Sequence, residues 1–225
     1  MKQNNIIRQS FSAQSTFEDS AASLIVELAN KSIKERGSFS IVLCGGTTPK
    51  AIYSKLAIAE TDWASWYVYF GDERCLAAND SERNSVMANN SWFMHVDIPS
   101  DHIFPIAGEL GNEEAASQYE KIVAEAGQFD LVLLGLGEDG HVASLFPGQK
   151  WGDNSLVIPV NNAPKYPNER VSLTINSLSN ARDVIFLVAG KNKATAFESW
   201  IDNNAPPASL ISAMNQVKVL TFDLD

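Results

Sequence analysis

The densest chemistry in the chain lies between Gly135 and Gly148, "GLGEDGHVASLFPG", where one of only three histidines follows an aspartate by two positions. His141 can take a proton from water near neutral pH. Asp139, with Gly140 between them permitting a turn, can point toward the same cleft. General acid-base help of this kind is typically worth about 100- to 10,000-fold in rate. A histidine that merely starts a helix is the plainer alternative. The other two, His95 and His102, sit in "HVDIPSDHIFP" without companion groups and read as surface or packing residues.

Two further stretches carry chemistry. "CGGTTPK" joins Gly45, Gly46, Thr47 and Thr48 to a helix start, so backbone N–H groups can approach an anion that the helix dipole also favours. It is neither G-x-G-x-x-G nor G-x-x-x-x-G-K-[ST], which removes the main support for a dinucleotide or nucleoside triphosphate. "FGDER" places Asp72 and Glu73 where carboxylates could hold sugar hydroxyls, and Arg74 where a guanidinium could steady an oxyanion. Each stretch alone is also compatible with a tight turn or a solvated charge cluster.

Nucleophilic and metal chemistry have less to stand on. There is no G-x-S-x-G, and Ser144 falls in an expected helix without a second base. Cys44 and Cys75 lack C-x-x-C or metal-ligand spacing, so both are expected to be reduced thiols rather than nucleophiles or zinc ligands.

These three stretches need elements to carry them. Phe17, Ala21, Leu24, Ile25 and Leu28 recur at helical spacing, and Gly37 follows where that helix should stop. "FSIVLC", "WYVYF", "FDLVLL", "RVSLTI", "DVIFLV" and "VKVLTF" read as strands. Between them, "TPKAIYSKLA" (Thr48 as N-cap, Pro49 first in the helix), "NDSERNSVMANNSWF", "NEEAASQYEKIVAEAG" and "KATAFESWI" read as helical, and a further helix is expected after His141. Strands alternating with helices predict an α/β fold: one domain over residues 1–225, a mostly parallel sheet and helices on both faces. Ligands in such folds gather at the carboxyl ends of strands, where all three stretches fall.

Bulk properties narrow the partners. The chain has 225 residues, 45% of them hydrophobic, and a formal charge of -10, with no basic face suited to nucleic acid. A phosphorylated small molecule remains compatible, because a cation about 4 Å away contributes on the order of 4 kcal/mol while charges beyond roughly 8 Å are screened. No run of about 18 apolar residues and no signal-peptide h-region is present, so a cytoplasmic protein without membrane contact is expected.

Together "CGGTTPKAIY", "YFGDER" with Asn84, "GLGEDGHVASLFPG", "RVSLT" and "VAGKNK" resemble the 6-phosphogluconolactonases in order and separation. The resemblance implies the Rossmann-like fold of the sugar-phosphate isomerase/deaminase-like superfamily. It also implies hydrolysis of 6-phospho-D-glucono-1,5-lactone in the oxidative pentose phosphate pathway, with no cofactor and no metal. By the same resemblance the phosphate site comprises Gly45 to Thr48 with Arg170 and Lys193, the latter fitting G-x-x-K from Gly190, and Lys191 is a possible helper. Asp72 and Asn84 join the substrate site. His141 activates water, Asp139 orients the imidazole or holds substrate, and Arg74 meets the developing charge. A monomer or weak dimer is expected.

Two competitors are weaker. The glucosamine-6-phosphate deaminases resemble "GHxAFNEP" where this chain has "GHVASLFP", so Phe146 replaces that branch's glutamate, and "DER" stands where that branch has "DEY". A sugar-phosphate-sensing module would need a DNA-binding segment, and the roughly 15 residues before the first helix are too few for a helix-turn-helix. Two departures from the lactonase pattern, Cys44 and Arg83 in places where serine is usual, bear on substrate preference more than on reaction class.

Overall fold

Consecutive apolar residues along a strand point to opposite faces, so an unbroken run can be stable only where both faces of the sheet are covered. In the computed structural model, which describes residues 6–149, 151, 154–202 and 207–224, this governs the central strands. Strands β1 (Ile6–Phe11), β2 (Phe39–Leu43), β3 (Trp66–Phe70), β5 (Phe129–Gly135), β8 (Ala181–Ala189) and β9 (Gln216–Phe222) form a six-stranded sheet in the order β1-β9-β8-β5-β2-β3. Every pairing in it is parallel. Leu131 to Leu134 and Asp183 to Val188 are buried without interruption, as two covered faces require.

The helices are α1 (Gln14–Arg36), α2 (Thr47–Leu56), α3 (Asn84–Ser91), α4 (Asn112–Ala126), α5 (Ile175–Ser179) and α6 (Ala194–Ile201). α1 buries Phe17, Ala21, Ile25 and Ala29, a stripe at four-residue spacing. It stops at Gly37, whose φ of 83° is left-handed and whose N–H donates to Ile33 O at 2.9 Å. α2 begins two residues earlier than its sequence suggests: Gly46, not Thr48, occupies the N-cap, and Thr47 is the first helical residue. Gly46 has a φ of 114°, which admits the sharp entry that a threonine would resist.

A second sheet of three antiparallel strands, β4-β7-β6, sits outside the first. Its members are β4 (Asp72–Arg74), β6 (Val157–Val160) and β7 (Arg170–Leu173). "RVSLTI" is therefore a strand, but not of the parallel sheet, and "DER" is itself a strand rather than a turn after one. β6 carries Pro159 and lies at the edge, where a missing N–H is tolerated.

The helix expected after His141 does not form. Val142, Leu145 and Phe146 are buried at helix-like spacing, but Gly140, Ala143 and Gly148 all have positive φ (87°, 48° and 76°) and turn the chain repeatedly. Ser144 thus lies in an irregular segment, its N–H donated to Ser172 Oγ at 3.2 Å.

Two buried tyrosines close the ends of neighbouring strands. The Tyr53 hydroxyl accepts from Cys44 N (3.2 Å) and donates to Cys44 O (2.9 Å). Tyr119 does the same for Phe70, at 2.8 and 3.2 Å. Each phenol satisfies both backbone groups of a residue just where ladder pairing runs out.

Candidate active site

β2 and β5 are adjacent, and the chain runs from β2 to β3 on one side but places β5 on the other. The sheet's order reverses there, and a crevice at such a reversal is where open α/β sheets hold ligands. A cleft of about 390 Å³ opens at the carboxyl ends of these strands. Gly45 and Gly46 contribute from the end of β2, and Gly135, Gly137 and His141 from the end of β5. Asp72, Arg74 and Arg170 enter from the antiparallel sheet, Asn84 from α3 and Lys193 from the turn after β8.

The catalytic-type pair is built by a tight turn. Gly140 N donates to Gly137 O at 3.0 Å, and Gly137 N to His141 O at 2.8 Å. Asp139 Oδ1 accepts from His141 N at 3.2 Å and lies 2.5 Å from His141 Nδ1. An ionised carboxylate can only accept, so Nδ1 carries the proton and Nε2 keeps its lone pair. Burial pushes the Asp139 carboxyl upward, but the hydrogen bond and charge of His141 outweigh it and hold the group below the ordinary carboxylate range. The imidazole packs on Phe146, ring centroids 4.7 Å apart, and remains 23% exposed. Gly137 leaves no room for a side chain, since a Cβ there would overlap the imidazole and stand 2.6 Å from Asp139 Oδ1.

Strand alternation sorts the acidic motif. Asp72 and Arg74, two apart, both line the cleft, whereas Glu73 points to the opposite face. Asp72 Oδ2 accepts from Ser144 Oγ at 2.6 Å and Oδ1 from Asn84 Nδ2 at 3.2 Å. Glu73, fully buried, accepts from the backbone N–H groups of Asn84 (2.8 Å) and Ser85 (2.9 Å) and from Ser85 Oγ (2.8 Å). It anchors the start of α3 instead of meeting a sugar. That start presents Asn84, whose amide fills the space where a Cβ on Gly45 would be. Arg83, also buried, donates from Nη1 to Glu109 at 2.7 Å and from Nη2 to Ile106 O at 2.5 Å, and its Nε lies 3.6 Å from Glu73.

The cations differ in how far they are engaged. Arg74 Nη1 donates to Glu82 O and to Glu82 Oε2 (3.2 Å). Arg170 is opposite Arg74 in the β4/β7 register and donates from Nε to Pro167 O (3.1 Å) and from Nη2 to Lys165 O (3.0 Å). Burial draws the Arg170 guanidinium down, with Asp72 opposing. Burial also lowers the Lys193 ammonium. Glu138 and Asp139 resist that shift, while Lys165 adds to it. Among the described residues Lys193 makes no hydrogen bond or ion pair.

Thr47 and Thr48 stand at the start of α2 but face a neighbouring depression shared with Gly190 and Phe222, not the main cleft. Lys191 is exposed and outside it as well. Burial pushes the Cys44 thiol up to about 12 and the Cys75 thiol to about 11, so both are protonated at neutral pH and poor nucleophiles. Among the described residues no three His, Cys, Asp or Glu side chains gather to hold a metal ion, and no helix is long and apolar enough to cross a membrane. Sequence reasoning gave no role to Gly137, Lys165 or Tyr166. Gly137 was visible as a glycine before the GEDGH turn, but Lys165 and Tyr166 lie in a polar loop with no periodic signal.

A parallel sheet with a cationic cleft at its point of reversal, one imidazole–carboxylate pair and a glycine cradle defines a Rossmann-like protein of the sugar-phosphate isomerase and lactonase type. The family model for glucosamine-6-phosphate isomerases/6-phosphogluconolactonase matches residues 12–221, and the chain belongs to that family. It is 40% identical to a 6-phosphogluconolactonase of Synechocystis over 189 residues, covering 79% of this chain and 77% of the relative. It is 33% identical to that of Mycobacterium leprae over 219 residues, covering 90% and 88%. The crystal structure of 6-phosphogluconolactonase from Thermotoga maritima superposes with a TM-score of 0.91 at 27% identity, covering 97% of this chain and all of the other. A monomeric glucosamine-6-phosphate deaminase, 23% identical and with a TM-score of 0.83 over 97% and 98% of the two chains, shares the fold.

Proposed function

We propose that the protein hydrolyses 6-phospho-D-glucono-1,5-lactone to 6-phospho-D-gluconate, the lactone-opening step of the oxidative pentose phosphate pathway. The observation that carries this reading is the opening of the His141–Asp139 pair into the same cleft as Gly45, Gly46, Arg170 and Lys193. His141 Nε2 takes a proton from water as the oxygen adds to the lactone carbonyl carbon. Arg74 stabilises the resulting oxyanion. The bond from that carbon to the ring oxygen then breaks, and the imidazolium returns its proton to the departing oxygen. The acid so formed ionises to solvent. Asp139 keeps the imidazole in the tautomer that leaves Nε2 free, Asp72 and Asn84 hold sugar hydroxyls, and the phosphate rests on the Gly45–Thr48 turn with Arg170 and Lys193.

Phe146 supports hydrolysis over deamination: an apolar ring against His141 supplies no carboxylate to assist ring opening. We take the reaction to be cytoplasmic, carried by one domain over residues 1–225 in a monomer or weak dimer, with no cofactor. The test is turnover of freshly generated 6-phosphogluconolactone, with the uncatalysed rate subtracted, beside glucosamine 6-phosphate. Acceleration of the first and silence on the second is the expected outcome. The reverse pattern would move the protein to the deaminase branch, and sedimentation at two concentrations reads the assembly state.

A further inference from the structure

The cleft has a rim that the residues discussed so far do not account for. Lys165 and Tyr166 line it from the loop before β7, and both are exposed. That loop is not free. Arg170, 7% exposed, donates to the carbonyls of Lys165 and Pro167, the two residues flanking Tyr166, so one guanidinium fixes the backbone on either side of the tip. With Nε and Nη2 committed in this way, much of the hydrogen-bonding capacity of Arg170 goes to shaping the loop.

The loop it shapes presents a cation to another cation. The ammonium of Lys165 is near enough to Lys193 to lower it, a repulsion that costs free energy unless an anion lies between or beside the two. Glu138 is that anion in the ligand-free protein. Its Oε1 lies 3.8 Å from Lys165 Nζ and accepts from Asn192 Nδ2, next to Lys193, at 2.8 Å. One carboxylate of the catalytic turn thus bridges the loop before β7 and the turn after β8. Both ends of the Lys165–Glu138 pair are at least half exposed, so the pair is weak and readily exchanged. A phosphate monoester, with a charge of about -1.5 to -2 at neutral pH, is a stronger partner for two ammonium groups than a single carboxylate is.

Resting on the lactonase reading above, we propose that Lys165 is a further phosphate-binding residue of this cleft, with Arg170 as its positioning residue and Glu138 as the counter-ion that the substrate's phosphate replaces. Lys165 and Lys193 then close on the phosphate from the two sides that Glu138 bridges in its absence. Glu138 belongs to the same turn as Asp139 and His141, so the exchange takes place beside the reacting centre.

The test is calorimetric binding of 6-phosphogluconate, with gluconate as the probe lacking phosphate, to the full-length protein and its Lys165→Ala, Glu138→Gln and double variants. Lys165→Ala should weaken 6-phosphogluconate about tenfold and leave gluconate unchanged, as expected for loss of one cation near an anion in a half-solvated site. Glu138→Gln should tighten 6-phosphogluconate about threefold where Lys165 is present and have no effect where it is absent. Lys165→Arg, which keeps the charge, should restore most of the affinity. The proposal falls if Lys165→Ala binds 6-phosphogluconate within twofold of wild type, if both ligands weaken equally, or if the wild type binds neither. Turnover of the lactone by the wild type is read separately: no acceleration alongside a selective loss in Lys165→Ala would sink the hydrolase reading and spare this one.

Discussion

The two walls of the cleft are made from different materials. At the ends of β2 and β5 the wall is backbone: Gly45, Gly46 and Gly137 let main chain and catalytic turn approach with no side chain between. From β4, β7 and α3 the wall is charged side chain: Asp72, Arg74 and Arg170, each held by named hydrogen bonds. The first wall is defined by what is missing and has no slack for an added atom. The second is defined by a chain of satisfied polar groups, and its failure mode is a buried charge left without a partner. Damage to the first should therefore appear as lost turnover in a folded protein, and damage to the second as lost stability.

The sharpest way to break this contrast is at His141, which the backbone wall positions. His141→Asn should lower kcat by roughly 100- to 10,000-fold while 6-phosphogluconate affinity stays within about threefold, and near-normal turnover would remove the histidine from its role. The opposite signature is expected at Glu73. Glu73→Ala leaves Arg83 and the start of α3 without their buried carboxylate and should cost about 3 kcal/mol in urea denaturation. A loss below about 0.5 kcal/mol, within the range of an ordinary surface change, would show that the side-chain wall is not held from behind.

Gly137→Ala returns to the backbone wall. The added methyl meets the imidazole, and a displacement near 1 Å there should cost about 100-fold in kcat with little change in the unfolding midpoint. Equal losses of stability and turnover would erase the distinction. The smallest effect concerns Lys193. Because burial lowers its ammonium, the protein should lose 6-phosphogluconate affinity, by about tenfold, as pH rises through a value below that of an ordinary lysine. The sign for folding is the reverse: the buried charge costs stability at neutral pH, and that cost is relieved between the lowered and the ordinary value. Lys193→Arg should flatten the binding limb, and an unchanged limb would assign it to another group.

Legibility in the sequence followed burial. The apolar runs of β2, β3, β5, β8 and β9 and the stripe of α1 announced themselves because both faces or one face of each had to be covered. β1 did not, because its residues Ile6 to Ser10 are exposed and only its backbone is engaged, through β9. The antiparallel sheet was misassigned for a related reason. "DER" is too short to show alternation, yet alternation is what separates Asp72 and Arg74 from Glu73. After His141 the spacing of Val142, Leu145 and Phe146 imitated a helix, and only the positive φ at Ala143, which no side chain advertises, breaks it. In the cleft, the glycine-rich stretches and the histidine were visible as unusual composition. Lys165 and Tyr166 were not, since a loop held by one guanidinium to two carbonyls leaves no pattern in its own residues.

The phenols of Tyr53 and Tyr119 give the scaffold a property of its own. Because each one seals both amide groups of a terminal strand residue from within the core, the sheet ends there on its own account and does not depend on whatever follows. The segments beyond Cys44 and Phe70 are thus free to be rewritten, as appendages bolted to a finished frame. Grafting different tips onto those two positions should leave the frame standing, provided both tyrosines stay.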